Sequence, residues 1–108
     1  MAETRKDNLI AKLDQLDRRY ETVTEQMNDP AVGRDAGRIV ALATERAGLG
    51  RIVEPYRQYR RLVADRDEAQ AILDDPQAEA DLKALAAAEL AALRGRAEEA
   101  LERVKGLL

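Results

Sequence analysis

This sequence contains no cysteine and no histidine. No disulfide, thiolate nucleophile or cysteine metal site is open to it, and the absence of cysteine fits a reducing compartment. Without histidine it lacks the usual general base at neutral pH and the commonest transition-metal ligand. Tryptophan and phenylalanine are missing too, and three tyrosines carry all the aromatic surface. No apolar run approaches the roughly 20 residues that a membrane span needs. The longest, residues 84–93, is interrupted by Glu89. Arg5 and Lys6 precede no apolar stretch of the kind a secretion signal carries. The expected location is therefore cytoplasmic, with no membrane association.

What is present is leucine, alanine, valine, isoleucine and charge. Charged residues make up 36% of the chain and are scattered rather than blocked. That mixture is the composition of long helices and coiled coils. A net charge of -3 argues against a general nucleic-acid binder but leaves room for a local basic patch. A length of 108 residues suits one domain, 1–108, and not two.

The periodicity is helical throughout. Leu9, Leu13, Leu16, Tyr20, Val23 and Met27 step by four and three, an unbroken heptad seam about 27 Å long. Thr4 is the expected cap of this helix. Asn28-Asp29-Pro30 ends it, residues 31–34 read as a loop or single turn, and Asp35 caps the next helix.

Leu49, Ile52, Tyr56, Tyr59 and Val63 then form the stripe of a long central segment. Gly48, Gly50 and Pro55 lie inside it. Each glycine costs about 1 kcal/mol against alanine in a helix interior, and the proline removes a hydrogen bond and clashes with the preceding turn. Either one helix bends near Pro55 or two helices meet between Leu49 and Pro55; the stripe keeps its phase across Pro55, which favours the bent continuous form.

Asp74-Asp75-Pro76 is a second corner, with Asp75 as cap and Pro76 as first residue of a last helix toward Leu107. Its expected seam is Leu90, Leu93, Ala97, Leu101, Val104 and Leu108, with Leu82 and Leu85 upstream; Gly95 and Gly106 are weak points. No strand or hairpin pattern occurs. The expected fold is all-α: an antiparallel, coiled-coil-like bundle of three long helices. So thin a bundle leaves apolar surface for a partner or a second copy, and a free-standing adaptor or dimerising coiled coil is one reading.

Candidate chemistry is sparse. Asp65, Asp67 and Glu68 lack the glycine and ligand spacing of a Ca²⁺ loop, and the adjacent pairs Asp74-Asp75 and Glu98-Glu99 do not face each other on a helix. Arg57, Arg60 and Arg61 can converge on one helix face with Arg66 nearby, the one basic patch able to meet phosphate. Ion pairing with Glu54, Asp65 or acidic residues of neighbouring helices is the alternative use for them. Tyr56 and Tyr59 sit at seam positions, which makes them core rather than stacking platforms for bases. No nucleophile–base pair or phosphate loop is present, and no cofactor, metal ligand set or catalytic residue is expected.

The order of several stretches resembles the N-terminal helical domain of bacterial class I peptide chain release factors, of the type that reads UAA and UAG. Leu13, Leu16, Arg19-Tyr20-Glu21 and Asp29-Pro30 with Val32 match its first helix and corner. Glu45, Leu49, Ile52-Val53 and Tyr56-Arg57 with Tyr59 match its central helix. Glu68-Ala69, Leu73 and Asp74 match its second corner, and Glu89-Leu90, Leu93, Leu101 and Leu107-Leu108 its last helix. Thr44 stands where that pattern usually has lysine.

The resemblance implies a piece of a ribosome-bound termination factor. Its partners would be the large-subunit stalk base and the GTPase release factor, with a contact to ribosomal RNA conceivable through the arginines. The Gly-Gly-Gln loop and Pro-x-Thr element of full-length members are absent from this sequence, so no catalytic residue carries over.

Overall fold

A computed structural model of the chain describes residues 2–108. Among them five helices follow one another: α1 (Ala2–Met27), α2 (Pro30–Gly33), α3 (Ala36–Asp74), α4 (Ala80–Leu93) and α5 (Arg96–Gly106). No strand occurs among the described residues. Two compact units divide the chain within α3, one ending at Glu54 and one beginning at Pro55.

In the first unit the α1 seam is the buried face. Leu13 and Val23 are fully enclosed and Tyr20 nearly so, with Leu9, Leu16 and Met27 half-buried. The helix begins before Thr4, which lies inside it rather than capping it. At the corner the Asp29 carboxylate accepts from the backbone N–H of Ala31 (2.9 Å), and Pro30 takes the first helical position. The Gly33 N–H reaches the Asp29 carbonyl at 2.9 Å, so the corner closes as one full helical turn. That turn exists to seat Val32, which packs with Val23 and Leu42 against Met27, Ile39 and Leu49. Asp35 caps α3 as expected, its carboxylate accepting from the Arg38 N–H at 3.1 Å. Thr24 reaches Arg46 and Tyr20 reaches Gly50, so α1 and this part of α3 run antiparallel.

α3 continues through Pro55 without interruption; the two-helix alternative is not what forms. A proline inside a helix costs about 3 kcal/mol and two glycines about 2 more. Burying one tyrosine removes at least about 150 Å² from water, worth about 4 kcal/mol. Tyr56 is only 1% exposed and Tyr59 only 7%, burial of the same order as the cost of the breakers.

The second unit departs from expectation at both ends of its return segment. Asp75 does not cap a helix and Pro76 does not begin one. The Asp75 carboxylate accepts from the Gln77 N–H (2.8 Å), and the Ala78 N–H bonds the Asp75 carbonyl at 3.2 Å. This one-to-four closure turns the chain off a helical path, so the helix restarts at Ala80 with Glu79 in the cap position.

The single last helix of the sequence reading is two. Arg94 is extended (φ -60, ψ 124) and Gly95 is left-handed (φ 83, ψ -19). Those angles are a type II turn, whose third residue calls for glycine. Ala97, Ala100, Leu101 and Val104 form the buried face of α5, and Ala86 and Leu93 that of α4. Leu82 and Leu85 belong to no seam: they are 46% and 69% exposed, and Leu108 is exposed as well. The seam of α4 is instead half-buried Lys83 and Leu90 with Ala86 and Leu93, a register that turns Leu82 and Leu85 away.

Candidate partner-binding surface

The basic patch of α3 separates into three settings. Arg57 is half-buried and engaged within the protein. Arg60 is exposed but leans back over Tyr56, its guanidinium carbon 5.7 Å from the ring centroid. Beneath it Tyr56 and Tyr59 stack with centroids 6.1 Å apart and planes inclined by 22°. Both rings are buried, so they serve the core and offer no face to a base. Arg61 points elsewhere. It lines a groove of about 500 Å³ between α3 and α5 with Gln58, Leu62, Asp65, Arg96, Glu99 and Arg103.

Sequence reasoning found Arg61 and missed Arg96 and Arg103. Both stand seven residues apart on α5, each one step before a buried position, Ala97 or Val104. That flanking pattern was readable, but the pairing of α5 with this stretch of α3 was not. Gln58 and Arg103 also border a second recess of about 410 Å³, lined by Pro55, Ala100 and Leu107. A third, also about 410 Å³, is lined by Leu73, Ala87 and Leu90 together with Arg66, Arg94 and Glu98. Arg66 there lies 3.9 Å from the Glu98 carboxylate and 3.8 Å from that of Asp67. Among the described residues no group of three or more potential ligands could hold a metal ion.

In the first unit the residues that carry the family resemblance assemble. Arg19 donates to Glu45 through both Nε (2.6 Å) and Nη2 (2.8 Å). This two-pronged match of guanidinium and carboxylate is the geometry arginine favours. The hydrogen bonds from Arg19 hold the Glu45 carboxyl below its ordinary value of 4.5; desolvation works against them and the guanidinium charge adds to them. The same bonds raise Arg19 above its own ordinary value. Next to this pair, Arg46 lies over the Tyr20 ring at 4.7 Å and donates through Nε to Thr24 Oγ1 at 2.9 Å. Thr24 Oγ1 in turn donates to the Tyr20 carbonyl at 2.9 Å.

The model of the PCRF domain family matches residues 16–108. The chain belongs to the PCRF domain family. This PCRF chain is 36% identical over 100 residues to peptide chain release factor 1 of Desulforudis audaxviator, which covers 93% of the chain and 28% of that protein. Against peptide chain release factor 1 of Thermus thermophilus it is 37% identical over 95 residues, 88% of the chain and 25% of the relative. The same factor of Ruegeria pomeroyi is 44% identical over 89 residues, 82% of the chain and 23% of the relative. The PCRF chain thus spans about a quarter of the length of these relatives. No solved structure matches it significantly. No helix among the described residues is long and apolar enough to cross a membrane.

Proposed function

We propose that this chain is the N-terminal helical domain of a translation termination factor that directs nascent-peptide release at UAA and UAG codons. Within that factor it is a non-catalytic module, acting in the cytoplasm, that positions the protein on the ribosome. Its contacts there are the large-subunit stalk base and the GTPase release factor. One observation carries the reading: relatives named peptide chain release factor 1 match along nearly the whole chain, while the chain accounts for only a quarter of them. The residue chemistry agrees. There is no histidine, cysteine or Gly-Gly pair to perform or template hydrolysis, and the Arg19–Glu45 pair and Arg46 with Thr24 and Tyr20 join α1 to α3.

The experiment is a peptide-release assay on ribosomes halted at UAA. A chimera carrying this chain in place of the matching quarter of Thermus thermophilus release factor 1 should release peptide. The chain alone should release none. Release by the chain alone, or a folded but inactive chimera, overturns the reading.

A self-associating helical adaptor is the second reading, and α4 favours it. That helix exposes Leu82 and Leu85 beside a run of alanines, and apolar surface on every side is usual for a covered helix. Light scattering over a range of concentrations separates the two readings: a concentration-independent monomer removes the second.

A further inference from the structure

We infer that the groove between α3 and α5 in the second unit is a docking site for an acidic protein segment that carries an apolar anchor. The proposal goes beyond the termination reading and does not depend on it.

Three arginines line this groove, Arg61 from α3 and Arg96 and Arg103 from α5. Among the described residues no ion pair holds any of the three. Three other arginines are engaged: Arg19 by Glu45, Arg46 by Thr24 and Tyr20, and Arg60 over Tyr56. Arg96 begins α5 behind a glycine that provides no side-chain cap, so the positive end of the helix adds to the same corner. Guanidinium groups in a fork geometry match carboxylates two bonds at a time.

The groove is graded along its length. At one end Pro55, Ala100 and Leu107 form an apolar recess, with Leu107 49% exposed. Arg103 and Gln58 border both recesses. At the other end stand Arg61, Arg96, Asp65 and Glu99. From Pro55 to Asp65 is about 15 Å along α3, the length of about three helical turns. That fits a partner helix with an aliphatic side chain in its first turn and carboxylates in the next two. The mixed lining also selects among macromolecules. A nucleic-acid backbone would bring an unbroken row of phosphates against Asp65 and Glu99. A protein segment can place carboxylates on the arginines and a lysine or amide on the acids.

The test is a titration of the 108-residue chain, followed by NMR of its backbone amides. The probe is a synthetic amphipathic peptide with leucine in its first turn and glutamate in each of the next two. Shifts should concentrate on residues of α3 and α5 that border the groove. Arg61→Glu with Arg103→Glu should weaken binding about ten-fold or more, as should a probe with glutamine in place of glutamate. Arg38→Glu, at an exposed arginine in the first unit, should leave binding unchanged, and circular dichroism should show every variant folded. Absence of binding, shifts mapping to α1 or α2, or indifference to the arginine changes overturns the proposal. So does tighter binding in this groove by a short single-stranded RNA. No ribosome enters the assay, so its failure and the failure of the termination reading are separate results.

Discussion

Arg46 lies 4.7 Å over the ring of Tyr20, and that ring's Cε2 is 3.4 Å from where a side chain on Gly50 would begin. One face and one edge of the tyrosine are thus closed by residues one helical turn apart on α3. Arg46→Ala removes a cation–π contact of about 0.5–1 kcal/mol and a hydrogen bond of about 1 kcal/mol. The expected loss is about 1–2 kcal/mol, read as a lower urea midpoint. Gly50→Ala places a methyl at contact distance and gains up to about 1 kcal/mol of helix propensity. It should raise the midpoint, whereas Gly50→Leu should lower it by driving into the ring.

Glu45 gives the fold a pH dependence. Its carboxyl is depressed in the folded state, so its contribution is complete above the unfolded value. As pH falls below 4.5 and through the folded value, the carboxylate takes up a proton and the contribution is lost. Glu45→Gln should therefore be less stable than the parent chain at pH 7, and the gap should close progressively below pH 4.5. Chemical denaturation at several pH values measures this. A gap that persists at pH 2 would count against it. Arg19→Lys should show part of the same loss at pH 7, because an ammonium cannot reproduce the paired bonds.

Gly95 is the position where backbone conformation dictates residue type. Its φ of 83 is left-handed, which costs other residues about 1–2 kcal/mol. Nothing lies within 4 Å of a Cβ built there, so Gly95→Ala should lose about 1 kcal/mol from backbone strain alone. Pro55→Ala should do the reverse and raise the melting temperature, since it restores a helical hydrogen bond inside α3.

Burial separates the large side chains that matter to stability from those that do not. Tyr56→Ala should cost about 3–5 kcal/mol, as expected for removing an enclosed aromatic. Leu85→Ala, at 69% exposure, should change stability by less than about 0.5 kcal/mol. Thermal or urea melts of the two variants side by side decide it.

Periodicity carried most of the helical architecture. The α1 seam, the Asp29-Pro30 corner, the Asp35 cap and the stripe through Tyr56 and Tyr59 all follow from local spacing and side-chain size. The two Asp-Pro corners looked alike but closed differently. One had Val32 to bury and became a helical turn; the other closed on Ala78 and left the helix to restart. Gly95 was visible as a weak point, yet only its positive φ makes it a break. Leu82 and Leu85 look like seam residues because leucine at helical spacing resembles core, and an alanine-rich helix leaves its register ambiguous. At the site, Arg57, Arg60 and Arg61 were legible as a patch on one helix. Their division among core, ring and groove depends on helices far away in sequence, as does the arrival of Arg96 and Arg103.

The joints of this chain also determine where its length can change. An extra residue in α3 between Tyr59 and Ala69 would turn one against the other by about 100°, so that the two could no longer both face the interior of the second unit. The same insertion between Asp75 and Glu79, or beside Arg94 and Gly95, alters only a connection and leaves each helix's own angular phase intact. Natural insertions and deletions should therefore gather at those two joints and avoid the stretch of α3 between Tyr59 and Ala69.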